Sequence, residues 1–216
     1  MKAIDPVALA FALGIFALLP LLLVTTTAFL KISIVLSLVR NALGVQQAPP
    51  NIAIYALSML LAMYIMAPIG YQIANVVTTE QDATLSVKAL LNIAKKSADP
   101  VREFLVANSK FEQREFFLTT AKKLWPPELS ADASQRDLLI VTPAFVVSEL
   151  TSAFEIGFLL FLPFIVIDLV VSNILMAMGM MMVSPVTISL PLKLFLFVMI
   201  DGWSKLIHGL VQTYLR

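Results

Sequence analysis

The run from Ile52 to Thr79, which contains no charged residue, constrains this chain more than any other feature. A bilayer core of about 30 Å is crossed by about 20 helical residues, so the run is long enough for one tilted span. Pro68-Ile69-Gly70 is expected to kink or end that helix. A second charge-free run extends from Pro6 to Leu30 and, after Lys31, resumes from Ile32 to Val39. It predicts one span with an overhang, or a helix broken near Pro20. The Thr25-Thr26-Thr27 cluster can hydrogen-bond back to preceding carbonyls and ease a bend. Between the two runs, Gly44 and the pair Pro49-Pro50 punctuate a short connection at 41–51, which makes the first two segments a helical hairpin.

The far end repeats this pattern. Leu138 to Ile167 is apolar but carries Glu149 and Glu155, and Asp168 follows. Leu169 to Leu192 is uncharged, and Lys193 to Leu215 is apolar with Lys193, Asp201, Lys205 and His208. The interval from Gly179 to Pro191 predicts a turn, giving a second hairpin. Composition fits this: 59% hydrophobic and 13% charged, against about 45–50% and about 25% in soluble domains. Met1 to Asp5 could pass for the n-region of a signal peptide. The apolar run after it is too long for an h-region and lacks a small-x-small cleavage site, so Pro6 onward reads as the mature first helix.

Between the hairpins the character changes. From Glu80 to Asp137 acidic and basic residues balance, and more than half of all charges lie there. Leu85, Val87, Leu90, Leu91 and Ile93 recur with helical spacing, as do Phe104, Leu105, Phe111, Phe116 and Phe117. Trp125-Pro126-Pro127 is a stop. Two or three amphipathic helices are expected. The fold expectation is an all-α integral membrane protein: a hydrophobic hairpin at 1–79, a soluble helical insert at 80–137 and a second hairpin at 138–216. Lys31 and Arg40 near the first turn place that turn on the cytoplasmic side and the insert opposite.

Several function classes are disfavoured. A formal net charge of +1 leaves no basic field for nucleic acid. With no cysteine, thiolate metal sites and cysteine nucleophiles are excluded. No phosphate loop, Gly-x-Ser-x-Gly or His-Glu-x-x-His is present, so neither a cofactor nor an enzyme is expected. His208 is the only histidine, and a lone one near a helix end reads as interfacial.

The charges inside apolar segments are more telling. Glu149, Glu155, Asp168, Lys193, Asp201 and Lys205 sit where each costs about 2.5–3.5 kcal/mol at mid-membrane. On a regular helix, Lys193, Asp201 and Lys205 fall within about 120° of one another, and Asp201 could pair with Lys205 at i, i+4. Glu149, Glu155 and Asp168 scatter around the wheel. One reading is structural, with acids and bases pairing across helices or subunits; the other is a proton or ion path. The balance of signs favours pairing. Met180-Met181-Met182 is the second oddity. A single Met in a helix is ordinary filler, but three in a row cannot share one face. Flanked by Gly179 and Pro185, they fit a bend with several side chains projecting together. Repeated by symmetry, such side chains would form a deformable apolar seal.

Longer strings carry a family resemblance. They are Leu38-Val39-Arg40-Asn41-Ala42-Leu43-Gly44 with Gln47 and Pro49-Pro50-Asn51; Pro143-Ala144-Phe145 with Ser148-Glu149-Leu150; Ala153 to Phe158; Leu162 to Asp168; Met178 to Met182; and Ser184-Pro185 through Pro191 to Asp201-Gly202-Trp203. On these the chain resembles the R subunit of the type III secretion export apparatus, the SctR family, whose flagellar counterpart is FliP. The absence of a cleavable signal fits the injectisome branch. The resemblance implies a pore-forming, non-enzymatic subunit of the inner-membrane gate for unfolded proteins. Five copies would join four S subunits and one T subunit in a pseudo-hexameric helical assembly, within a larger export apparatus. A methionine gasket would map onto Met180, Met181 and Met182. The apolar helices would be largely withdrawn from lipid, so the topology above describes insertion rather than the assembled state. An ion- or proton-coupled transporter and a scaffold without a pore remain the alternatives.

Overall fold

A computed structural model of the chain describes residues 6–45, 48–79 and 87–215. The Met1–Asp5 reading, Gln47 of the turn motif, and Glu80 and Leu85 at the start of the insert lie outside them. Among the described residues every regular element is a helix: α1 (Pro6–Thr26), α2 (Phe29–Ala42), α3 (Asn51–Thr79), α4 (Val87–Asn108), α5 (Phe111–Leu124), α6 (Pro127–Ser130), α7 (Leu138–Ala177), α8 (Pro185–Met199) and α9 (Gly202–Gln212).

Two of these, α3 and α7, are each long and apolar enough to cross a membrane. The count rises to four if each broken pair, α1 with α2 and α8 with α9, forms one span. Breaks do not fall at prolines. α1 runs through Pro20 and α3 runs through Pro68, because one missing N–H removes a single bond from a long ladder. The first break lies instead at Thr27-Ala28, where threonine hydroxyls compete for carbonyls. Thr25, Thr26 and Thr27 donate from Oγ1 to the carbonyls of Leu21, Leu22 and Leu23 at 2.8, 2.6 and 2.6 Å. The second break was not foreseen. Asp201 adopts φ 53°, and α8 and α9 meet there at 62°. The shared helix face expected for Lys193, Asp201 and Lys205 therefore does not exist, since no single helix holds all three.

The chain forms two compact units, Met1–Leu30 with Ala62–Glu149, and Lys31–Leu61 with Leu150–Arg216. In the first, Leu105 of α4 packs with Val141 and Phe145 of α7, all fully buried, and the Phe104 and Phe145 rings lie 5.7 Å apart. Arg114 of α5 closes the end of α4. Its Nη1 donates to the carbonyls of Val106 and Ser109, each at 2.7 Å, satisfying acceptors that a helix C-terminus leaves open. The Lys110 amide donates to Ser148 Oγ at 2.9 Å, tying the α4–α5 corner to α7.

In the second unit each helix buries a stripe, which on α2 widens to take in Lys31, Ser33 and Ala42 and leaves none of residues 29–40 exposed. On α2 it is Ile32, Val35, Leu36 and Val39; on α8, Ser189, Lys193 and Phe197; on α9, Gly202, Leu206 and Leu210. These are the 3–4 residue steps of one helix face. A Cβ on Gly157 would lie 2.3 Å from Leu38 Cδ1, so α7 approaches α2 as closely as a missing side chain permits. The outer faces of α7 and α8 stay apolar and exposed, with Phe158, Leu159, Leu169 and Phe195 among them.

Candidate gate loop and buried charge network

The methionine-bearing loop is held at both ends by local backbone chemistry. α7 stops because Gly179 takes φ +72°, which L side chains rarely adopt. The Met180 amide reaches back to the Leu175 carbonyl at 2.9 Å, and the Gly179 amide to that of Met176 at 3.0 Å. This is the paired closure of a Schellman helix end, with glycine at its left-handed position. The Val183 amide then bonds the Met180 carbonyl at 3.3 Å, making a tight turn. Pro185 opens α8 at the first helical position, where its missing N–H costs nothing. Between these anchors the side chains stand free: Met181 is 85% and Met182 101% exposed, and Met180 42%. Three apolar, flexible side chains thus share one short projection, with Met178 also exposed beside them.

A charge network lies behind the start of α8. Lys193 is 4% exposed. Its Nζ donates to Asp168 Oδ2 at 2.6 Å and to the Ala42 carbonyl at 3.3 Å. Ser189 Oγ donates to the other carboxylate oxygen, Oδ1, at 2.6 Å. Ala42 is the last residue of α2, so the ammonium sits where helix carbonyls are unsatisfied and the dipole is negative. One cation thereby joins three helices: α7 through Asp168, α8 through its own backbone, and the end of α2.

The first hairpin turn is the third part. After Ala42, Gly44 adopts φ +75° and its amide bonds the Asn41 carbonyl at 3.0 Å. Arg40 Nη1 donates to Asn51 Oδ1 at 2.5 Å and to the Pro49 carbonyl at 3.3 Å, closing the turn onto the start of α3. Arg40, Asn41, Gly44, Val45, Pro50, Asn51 and Val186 line a cleft of 600 Å³.

The structure brings together Asp168 and Lys193 of the charges singled out above. Glu149 is fully buried in α7, whereas Glu155 is exposed on it. Asp201 accepts from Ser204 Oγ at 2.9 Å, and Lys205 and His208 are exposed. Three participants escaped the sequence reading. Ser189 sits one helical turn before Lys193, a spacing that could have marked it. The Ala42 carbonyl has no side-chain signature. Lys31, read only as a topology signal, is buried with its Nζ 3.8 Å from the Tyr214 ring centroid. Among the described residues no cluster of His, Cys, Asp and Glu could hold a metal ion.

The chain has relatives among known proteins. The chain is 49% identical over 210 residues to Yop proteins translocation protein R of Yersinia pestis, covering 97% of each. It is 52% identical to the probable translocation protein y4yL of Sinorhizobium fredii, over 96% of this chain and 92% of that one. To the hypersensitivity response secretion protein HrcR of Ralstonia nicotianae it is 47% identical over 92% of each. Residues 12–210 match the FliP family. The chain therefore belongs to the FliP family, whose described relatives are named for translocation and secretion.

Proposed function

We propose that this chain is a pore-forming, non-enzymatic subunit of a type III secretion export gate in a bacterial inner membrane. Several copies, five by family resemblance, pack with S and T subunits and place their 178–184 loops toward a common axis. Unfolded proteins pass the opening so formed. The loop itself carries the reading. Met181 and Met182 are almost fully exposed between two fixed helix ends, an arrangement unfavourable in water. Methionine's flexible thioether suits a seal that must close on nothing and also around chains of varied shape.

The buried charges serve assembly in this reading. Asp168 and Lys193 hold α8, and with it the loop, against α2 and α7, while Glu149 and Glu155 are candidates for pairs within or between subunits. The 80–137 insert lies on the periplasmic side. Energy for export comes from other components. The test is ionic conductance of the assembled gate in planar bilayers with Met180, Met181 and Met182 all replaced by Ala. Increased leak is expected; conductance equal to wild type would sink the seal.

A further inference from the structure

The cleft at the first hairpin turn holds a cation with no counter-ion among the described residues. Arg40 is half-buried, and its two contacts, the Pro49 carbonyl and Asn51 Oδ1, are neutral and both made by Nη1. No carboxylate pairs with it among the described residues. Nε and Nη2 remain as the edge of a planar fork, a geometry suited to two oxygens of one carboxylate or phosphate. Asn41 and Asn51 add further polar groups to the lining of the 600 Å³ cleft.

What adjoins the cleft selects the ligand. α3 begins at Asn51, and its next turns expose Ile52, Tyr55 and Met59, at 77%, 51% and 40%. Their spacing of three and four residues puts them on one stripe leading away from the cleft. A polar, cationic cleft at the head of an exposed apolar stripe matches a molecule with a charged head and long hydrocarbon tails. A free anion would leave the stripe bare.

From this juxtaposition we infer that the Arg40 cleft is a phospholipid site: the phosphate lies on the Arg40 fork, and an acyl chain runs along Ile52, Tyr55 and Met59. The inference does not depend on the export reading. It gives the first hairpin turn a ligand of its own, at the end of a helix long enough to span a bilayer.

Native mass spectrometry of the full chain in detergent, after delipidation, tests it. Added phosphatidylglycerol should give a one-lipid adduct on wild type. That adduct should fall at least fivefold in Arg40→Gln and be retained in Lys122→Gln, which changes an exposed insert lysine. The double variant Ile52→Ser/Tyr55→Ser keeps Arg40 and alters only exposed positions; it too should lose the adduct, so a failure of Arg40→Gln to fold leaves the test intact. Diacylglycerol, which lacks the phosphate, should give no adduct. Equal adducts in wild type and either cleft or stripe variant would overturn the proposal. So would equal binding of diacylglycerol, or an inorganic phosphate adduct with no added occupancy from phosphatidylglycerol.

Discussion

The methionine loop and the Lys193 network lie on either side of Pro185 and solve opposite problems. In the loop, apolar side chains are exposed and polar backbone is satisfied internally, by the closure at Gly179 and the turn at Met180–Val183. In the network a charge is buried and every contact is polar: Asp168, Ser189 and the Ala42 carbonyl. The first region is fixed in backbone and free in side chain. The second is fixed in side chain and spans three helices. In the proposed seal, the loop would use the first property and its mounting the second.

The sharpest break of this comparison is Asp168→Ala. It leaves the Lys193 ammonium buried without its counter-ion, which should destabilise the second unit by about 3 kcal/mol. Thermal unfolding in detergent would read it. Lys193→Met should cost less, because the Asp168 side chain is 38% exposed and keeps water while that of Lys193 is 5% exposed. Equal losses would mean that burial does not set the cost.

Next in size is Arg114→Met in the insert. It removes the charge-assisted bonds that one guanidinium nitrogen makes to carbonyls at the end of α4, and because those carbonyls can turn to water the net loss should be about 2 kcal/mol. The effect should appear as faster amide exchange at the α4–α5 corner, with the Lys193 region unchanged. Gly179→Ala comes third. A Cβ at φ +72° meets no neighbour, so its cost is backbone strain alone, about 1–2 kcal/mol. It should shift the loop and raise conductance of the assembled gate more than it lowers the melting temperature. The smallest stability effect belongs to Met181→Ala with Met182→Ala. Both side chains are exposed, so the protomer should change by less than about 0.5 kcal/mol. A larger loss would show that the loop packs within the protomer and would remove the contrast with Lys193.

Much of this was legible before any coordinates. Charge-free runs marked α1 and α3; the threonine cluster lies at the end of α1, but the break expected near Pro20 falls after it, and the turn expected from Gly179 to Pro191 is shorter because α8 starts at Pro185 and runs through Pro191. The pairing of Asp168 with Lys193 was less legible. Spacing on one helix cannot choose among partners on different helices, and the Ala42 carbonyl carries no sequence signal. The Asp201 break was invisible for a related reason. An aspartate in the left-handed region is held by its surroundings, here Ser204 and the ring of Phe197 against Gly202. Prolines misled in the other direction: Pro20 and Pro68 punctuate soluble sequences, but long apolar helices run through them.

The narrow buried stripes carry a consequence for mass action. A protomer that buries one face of α8 and α9 and leaves the outer face of α7 bare has completed only part of its hydrophobic burial. The rest is supplied by whatever covers Phe158, Leu159 and Leu169. In the proposed gate, other copies and partner subunits would cover that face, and the stability of the assembled form would then deepen as they accumulate and fade on dilution. On that reading, chain made in excess of its partners would be held in its least stable form, open to proteolysis, and its amount would be matched to theirs.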